Sequence, residues 1–186
     1  MSVRISGGMY RGRQIRSPGG ADLRPTTERV RGAVFSIIGA GTLAGARVLD
    51  LYAGTGVMAM EAISRGAAWA DLVEVDARLV RGIRENLRSL SAAGQARVYR
   101  GRTLDVLDRL PGGYDLVFAD PPYEMREWDP LMDRLNRPGL INSGGIVVAE
   151  HRHDMAMAER YDGFERVTTR KYGDTGISVY VEVASG

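Results

Sequence analysis

The sequence contains no cysteine, two histidines (His151 and His153) and a single lysine (Lys171). Without cysteine there is no disulfide framework, no thiolate metal site and no sulfur nucleophile. Two imidazoles are a poor supply for a histidine metal cage or a Ser/His/Asp triad. No loop spaces its Asp and Glu residues as a hard cation requires, so no metal is expected. No apolar run approaches the ~18–20 residues of a membrane span, and the N-terminus lacks a hydrophobic signal core. These absences lead to the expectation of a cytoplasmic protein that does not engage a membrane.

What is present suits a globular chain: 186 residues, 44% hydrophobic, with Gly 24 and Pro 7. That is enough for one domain with a real core. The net charge of +2 is unevenly spread. The first 31 residues hold seven arginines (Arg4, Arg11, Arg13, Arg16, Arg24, Arg29, Arg31) against Asp22 and Glu28, which leaves the remainder net acidic. Guanidinium groups pair bidentately with phosphates, and a basic arm on a near-neutral body steers polyanions. A solvated basic face is the bland alternative.

Along the chain, residues 3–16 read as a glycine-punctuated hairpin, Val3–Ser6 and Arg13–Arg16 around turns at Gly7-Gly8 and Gly12. Thr26 or Thr27 can cap a helix whose apolar face includes Val30, Val34 and Phe35. From residue 46 strands and helices alternate. Strands are expected at Arg47–Leu51, Ala70–Val75, Ala96–Arg100, Tyr114–Ala119 and Gly145–Glu150. Helices are expected at Val57–Arg65, Ala77–Leu90, Leu104–Leu110 and Pro130–Leu135. Phe164–Tyr172 and Ile177–Val183 read as a closing hairpin. This order predicts an α/β, Rossmann-like fold: a mostly parallel central sheet, helices on both faces, and a C-terminal antiparallel hairpin. Residues 1–40 are expected to form a basic hairpin-and-helix extension and 41–186 the main α/β domain.

Two segments carry chemistry. In Asp50-Leu51-Tyr52-Ala53-Gly54-Thr55-Gly56, a strand turns into a helix, and glycines let the backbone approach a ligand closely. The spacing to Ala59 also fits a dinucleotide fingerprint, weak evidence by itself. Asp50 favours a zwitterionic ligand over a pyrophosphate, since its carboxylate could engage an ammonium group or order the loop. Glu74, 20 residues after Gly54, ends the second strand, where an acid can accept from both ribose hydroxyls. Asp76 competes for that role but is better placed as a helix cap.

The second segment is Asp120-Pro121-Pro122-Tyr123, after the apolar run Leu116–Ala119. Two prolines stop the ladder and stiffen the loop. They leave acceptors, the Asp120 carboxylate and a carbonyl near Pro121, followed by an aromatic ring. That set suits a flat base with an exocyclic amine, Tyr123 stacking on it and the acceptors holding the amine hydrogens. Such an amine is a poor nucleophile, because its lone pair is delocalised, so the acceptors aim the nitrogen and favour its pyramidalisation.

With Arg4-Ile5-Ser6-Gly7-Gly8, Arg11-Gly12-Arg13 and Leu23-Arg24-Pro25-Thr26-Thr27-Glu28-Arg29-Val30-Arg31, these motifs resemble the bacterial 16S ribosomal RNA guanine-N2 methyltransferase family (RsmD-like). Val73-Glu74 and Glu85-Asn86-Leu87 match as well, so the resemblance covers nearly the whole chain. It implies a class I methyltransferase using S-adenosyl-L-methionine on guanine N2 of 16S rRNA, in an assembled or assembling small subunit. A monomer is expected. The implied cofactor set is Asp50, Tyr52, Ala53, Gly54, Thr55, Gly56, Glu74, Val75, Arg102 and Thr103. The implied catalytic set is Asp120, Pro121, Pro122 and Tyr123, with Arg11, Arg13, Arg24 and Thr26 on the RNA.

Two positions depart from the family. Gly32 stands where glutamate is usual, and Arg102 occupies the place of an acid that contacts adenine, leaving Thr103 or a backbone carbonyl for that contact. Rival readings are a DNA adenine-N6 methyltransferase, a nucleotide-dependent oxidoreductase and a catalytically idle RNA-binding assembly factor.

Overall fold

An antiparallel hairpin opens the chain, β1 (Ser2–Arg4) pairing with β2 (Gln14–Arg16). The computed structural model describes residues 2–17, 27–122 and 128–183. Helix α1 (Glu28–Ile38) is capped by Thr27, whose side chain accepts the Val30 N–H at 3.3 Å. A 3-10 turn (Ala40–Leu43) leads into β3 (Arg47–Leu51). Then follow α2 (Val57–Ser64), β4 (Trp69–Glu74), α3 (Ala77–Ser89), β5 (Ala96–Arg100), α4 (Thr103–Leu107) and β6 (Tyr114–Ala119). After α5 (Trp128–Leu135) come β7 (Ile141–Arg152), β8 (Arg160–Tyr161), β9 (Phe164–Tyr172) and β10 (Thr175–Glu182).

The second sheet has eight strands in the order β5-β4-β3-β6-β7-β10-β9-β8. Strands β3 to β7 are parallel, and β10, β9 and β8 are antiparallel to their neighbours. Strands β3, β5, β6 and β9 have the expected bounds. Strand β7 begins earlier than expected, at Ile141, and the two-residue β8 was not foreseen.

Coverage on both faces explains why the inner parallel strands β3, β4 and β6, and β7 from Ile146 to Ala149, are apolar almost throughout. Val48, Leu72, Phe118 and Val148 pack against α1, α2 and α3. Leu49, Leu51, Val73, Val117 and Val147 pack on the opposite face against α4 and α5. A strand covered on both faces has no solvent side to carry polar residues. Within β4, buried Asp71 takes hydrogen bonds from Arg47 and from the Tyr114 hydroxyl, the first residues of β3 and β6, each at 2.7 Å. This triad ties β3, β4 and β6 together at the edge away from the glycine loop.

The N-terminal hairpin shares the core of the α1–α3 face through Ile5 and Ile15, both buried. Burial of one such side chain contributes about 1.5–3 kcal/mol. Polar groups fix its position. Glu61 of α2 is 0% exposed and accepts the Ser6 N–H with both oxygens, at 3.1 and 2.9 Å. It also takes the Ser6 hydroxyl and pairs with Arg65 at 3.0 Å. Arg31, counted in the basic arm, is 1% exposed and donates to the Arg4 carbonyl at 2.8 Å. Burial lowers its pKa, opposed by the charges of Glu61 and Glu28.

Candidate functional site

Chain reversal in an open α/β sheet leaves a crevice at the carboxyl ends of the strands, where neighbours lead to opposite sides. Here that point lies between β3 and β6: from β3 the order runs to β4 and β5 on one side, and to β6 and β7 on the other. The glycine loop leaves β3 and the Asp120 loop leaves β6, so the fold brings the two chemistry-bearing segments together.

The glycine loop is held by acids from two strands. Tyr52, Gly54 and Gly56 have φ of 59°, 56° and 74°. The left-handed region suits the two glycines, and Tyr52 enters it with a side chain. Gly56 precedes α2 and brings no capping side chain. Instead the Asp50 carboxylate accepts the Ala59 N–H at 3.1 Å, serving from β3 as the cap that α2 lacks. Asp50 is 3% exposed, and burial pushes its carboxyl up to about 8; the Ala59 N–H opposes this and the Glu74 charge adds to it.

Glu74 ends β4, 7% exposed. One oxygen accepts the Gly54 N–H at 2.9 Å and the other the Asp76 N–H at 2.8 Å. The carboxylate thus joins the glycine loop to the start of α3, and each oxygen keeps a lone pair for a further donor. Asp76 is the cap of α3, accepting from Arg78 and Leu79 N–H at 2.6 and 3.3 Å. Of the two acids weighed for the ribose, Asp76 is therefore taken up by the helix.

The remaining residues of the expected cofactor set stand in this loop, just past β4, and at the start of α4 after β5. Val75 lies one residue past β4 and is 59% exposed, an apolar side chain turned to solvent at the crevice. Ala53 donates to the Val73 carbonyl at 2.9 Å, and Thr55 is buried. Arg102 is exposed immediately before α4, and Thr103 opens that helix, buried.

Asp120 follows β6 directly and is half-buried; Pro121 is buried and Pro122 exposed. The Asp120 carboxyl is raised well above the usual carboxylate range, by burial first, then by the charges of Glu150 and Asp50. Glu150 was not singled out in the sequence. Ala119 pairs with Ala149, so Asp120 and Glu150 are the next residues on adjoining strands. The signal was available, since Glu150 ends the apolar run Ile146–Ala149 just as Asp50, Glu74 and Asp120 end theirs. A site where Asp50, Asp120 and Glu150 act on one another electrostatically favours a cationic ligand, which stabilises the ionised carboxylates.

Arg11 and Arg13 lie elsewhere. Helices α2 and α3 start at the crevice and run to the opposite edge, and the hairpin turn meets their far ends. Met9 N–H donates to the Ser64 carbonyl at 2.7 Å, and the Arg13 guanidinium to the Ser89 carbonyl at 2.6 Å. A thirteen-residue helix spans about 20 Å, which sets the scale of that separation. Tyr123, Arg24 and Thr26 lie outside the described residues.

The profile of the family described as Conserved hypothetical protein 95 matches residues 3–181. The chain belongs to that family. Among its relatives is the Escherichia coli K12 protein named Ribosomal RNA small subunit methyltransferase D, 34% identical over 148 residues, covering 80% of this chain and 74% of that one. A solved structure of a hypothetical protein from Thermus thermophilus is similar at a TM-score of 0.80 with 32% identity, over 97% of this chain and 99% of that one. The fold is that of class I methyltransferases. It extends to an RNA methyltransferase from Salinibacter ruber in complex with S-adenosyl-L-homocysteine, TM-score 0.67 and 17% identity over 87% of this chain and 95% of that one. No helix among the described residues is long and apolar enough to cross a membrane.

Proposed function

We propose that the protein transfers a methyl group from S-adenosyl-L-methionine to the exocyclic N2 amine of a guanine in 16S rRNA, within the assembled or assembling small ribosomal subunit. The observation that carries this reading is Asp120, half-buried at the end of β6 beside the strand that leads into the glycine loop. Family membership and the name of the Escherichia coli relative support the rRNA substrate.

The residues fit the cofactor. Glu74 holds both its oxygens at the mouth of the loop with lone pairs to spare, which suits two ribose hydroxyls. Exposed Val75 offers an apolar face to an adenine ring. Asp50 places a buried acid under the loop, matched to a ligand bearing ammonium and sulfonium charge. When bound, the cofactor supplies an electrophilic methyl group on that sulfonium.

Asp120 and the Pro121 carbonyl hold the guanine amine hydrogens, with Tyr123 against the flipped base. As the methyl–sulfur bond breaks and the nitrogen lone pair takes the methyl group, positive charge would pass from sulfur to the amine, where the Asp120 carboxylate would stabilise it. The N2 proton is then shed towards that carboxylate. The segment 1–40 forms the RNA-contacting extension, with Arg11, Arg13, Arg24 and Thr26 on the nucleic acid.

The test is transfer from labelled S-adenosyl-L-methionine to unmethylated small subunits, deproteinised 16S RNA and duplex DNA, read by nucleoside mass spectrometry. N2-methylguanosine from the subunits is the expected product. N6-methyladenine from DNA would replace this reading.

A further inference from the structure

The hairpin turn with Arg11 and Arg13 lies at the far end of α3 from the crevice, so a nucleic acid touching both must cross the surface between them. That surface is basic. Helix α3 buries Leu79, Val80, Ile83, Asn86 and Leu87. Its opposite face carries Arg78, Arg81, Arg84 and Arg88, all exposed. At 100° per residue these four fall within roughly one third of the helix circumference. Glu85 is the only acid within the helix.

The stripe is continuous at both ends. Towards the far end, Arg88 is followed by Ser89, whose carbonyl receives the Arg13 guanidinium at 2.6 Å. Towards the crevice, Arg78 stands in the first turn, paired with the cap Asp76 at 3.1 Å. Beside it runs β5, the edge strand of the sheet, ending in exposed Arg100. Arg84 leans across to that strand, donating to the Val98 carbonyl at 3.4 Å. Glu74, which pairs with Arg100 in the β4–β5 register, belongs to the cofactor loop.

We propose that the exposed arginines of α3, continued by Arg100, form a phosphate-binding track that carries the RNA backbone between the crevice and the hairpin turn. Four guanidinium groups on one helix face, against Glu85 and the cap Asp76, leave a net positive stripe that matches a polyanion of regular charge spacing. A track of side chains without a groove reads no bases, so it adds affinity and orientation and leaves base selection to the crevice. This inference rests on the rRNA reading above.

The test uses the full chain and unmethylated small subunits. The variant Arg81→Gln/Arg88→Gln/Arg100→Gln removes three charges while keeping good helix formers on α3. Each phosphate contact contributes about 0.7 to the slope of log affinity against log salt for single strands, so the slope should flatten by about 2. The KM for subunits should rise on the order of tenfold or more. S-adenosyl-L-methionine affinity and melting temperature should stay unchanged, and the corresponding triple lysine variant should restore the slope. An unchanged slope and KM in the glutamine variant, with wild-type chain methylating subunits, would overturn the track and leave the rRNA reading standing. Failure of the wild-type chain to methylate rRNA would remove both, and that result is read before any variant is made.

Discussion

The Glu74 carboxylate accepts the Gly54 N–H at 2.9 Å, so the acid that closes β4 shapes the glycine loop that leaves β3. Hydrogen bonds to a charged group contribute about 1.5–3 kcal/mol each. Glu74→Gln sets an amide NH2 against one of two backbone donors, Gly54 or Asp76. Calorimetric titration should show S-adenosyl-L-methionine affinity reduced by about tenfold to a hundredfold. Wild-type affinity in a folded variant would mean that the loop keeps its shape without the charge.

In the proposed reading, Asp50 should make cofactor binding depend on pH. Its carboxyl, pushed up to about 8 in the free protein chiefly by burial, carries a proton near neutrality. A cationic ligand favours the ionised form, so binding should release a proton and tighten as pH rises from about 6 to 7. The free chain should show the reverse trend in stability. A raised carboxyl contributes stability below its unfolded value of 3.8 that is lost as pH climbs through about 8. Asp50→Asn keeps an acceptor for Ala59 and should flatten both trends. Titrations in buffers of different ionisation enthalpy check the proton count; a binding heat independent of buffer contradicts the linkage.

Asp120 and Glu150 should be separable by the pH profile of kcat. Asp120→Ala should cost about a hundredfold or more in turnover, the scale of losing one transition-state contact, with cofactor affinity largely spared. Glu150→Gln removes one of the two charges that raise the Asp120 carboxyl. The acidic limb of the profile should therefore move to lower pH. A limb that stays in place would show that Glu150 does not act on Asp120 during turnover.

Two hairpin glycines should respond differently to alanine. At Gly8, with φ +78°, a Cβ would collide with the Ser64 carbonyl oxygen, an atom already bonded to the Met9 N–H. At Gly12, with φ +82°, a Cβ meets nothing within 4 Å. Gly12→Ala should cost only the left-handed backbone penalty of about 1–2 kcal/mol. Gly8→Ala should cost clearly more, because the hairpin must lift off α2. Equal denaturation midpoints for the two variants would argue that the hairpin is not docked in solution.

The centre of the sheet was legible because β3, β4, β6 and the last part of β7 each read as a short apolar run closed by an acid. That pattern located Asp50, Glu74 and Asp120, and applied consistently would have found Glu150. The cap role of Asp76 was also readable, since an acid before an apolar-periodic stretch is a helix cap. What escaped was whatever depended on contacts between distant segments. Glu61 and Arg31 look like surface charges in amphipathic helices, and only the docked hairpin puts them inside. The remoteness of Arg11 and Arg13 from the crevice likewise follows from the direction of α2 and α3, which composition does not encode. Residues 18–26 and 123–127, where Arg24, Thr26 and Tyr123 stand, lie outside the described residues.

The docking of the hairpin has a geometric consequence for substrate choice. Ser64, Asn86 and Ser89 hold it by hydrogen bonds at 2.6–3.0 Å to Tyr10, Arg16 and Arg13, so its tip sits at a fixed span from Asp120. In the proposed reading, the protein works as a calliper. An RNA already folded into a particle presents its phosphates and target base at one set distance, and the jaws either match it or do not. A free strand must first surrender its conformational freedom to meet the same two points, which favours the particle before any base is inspected.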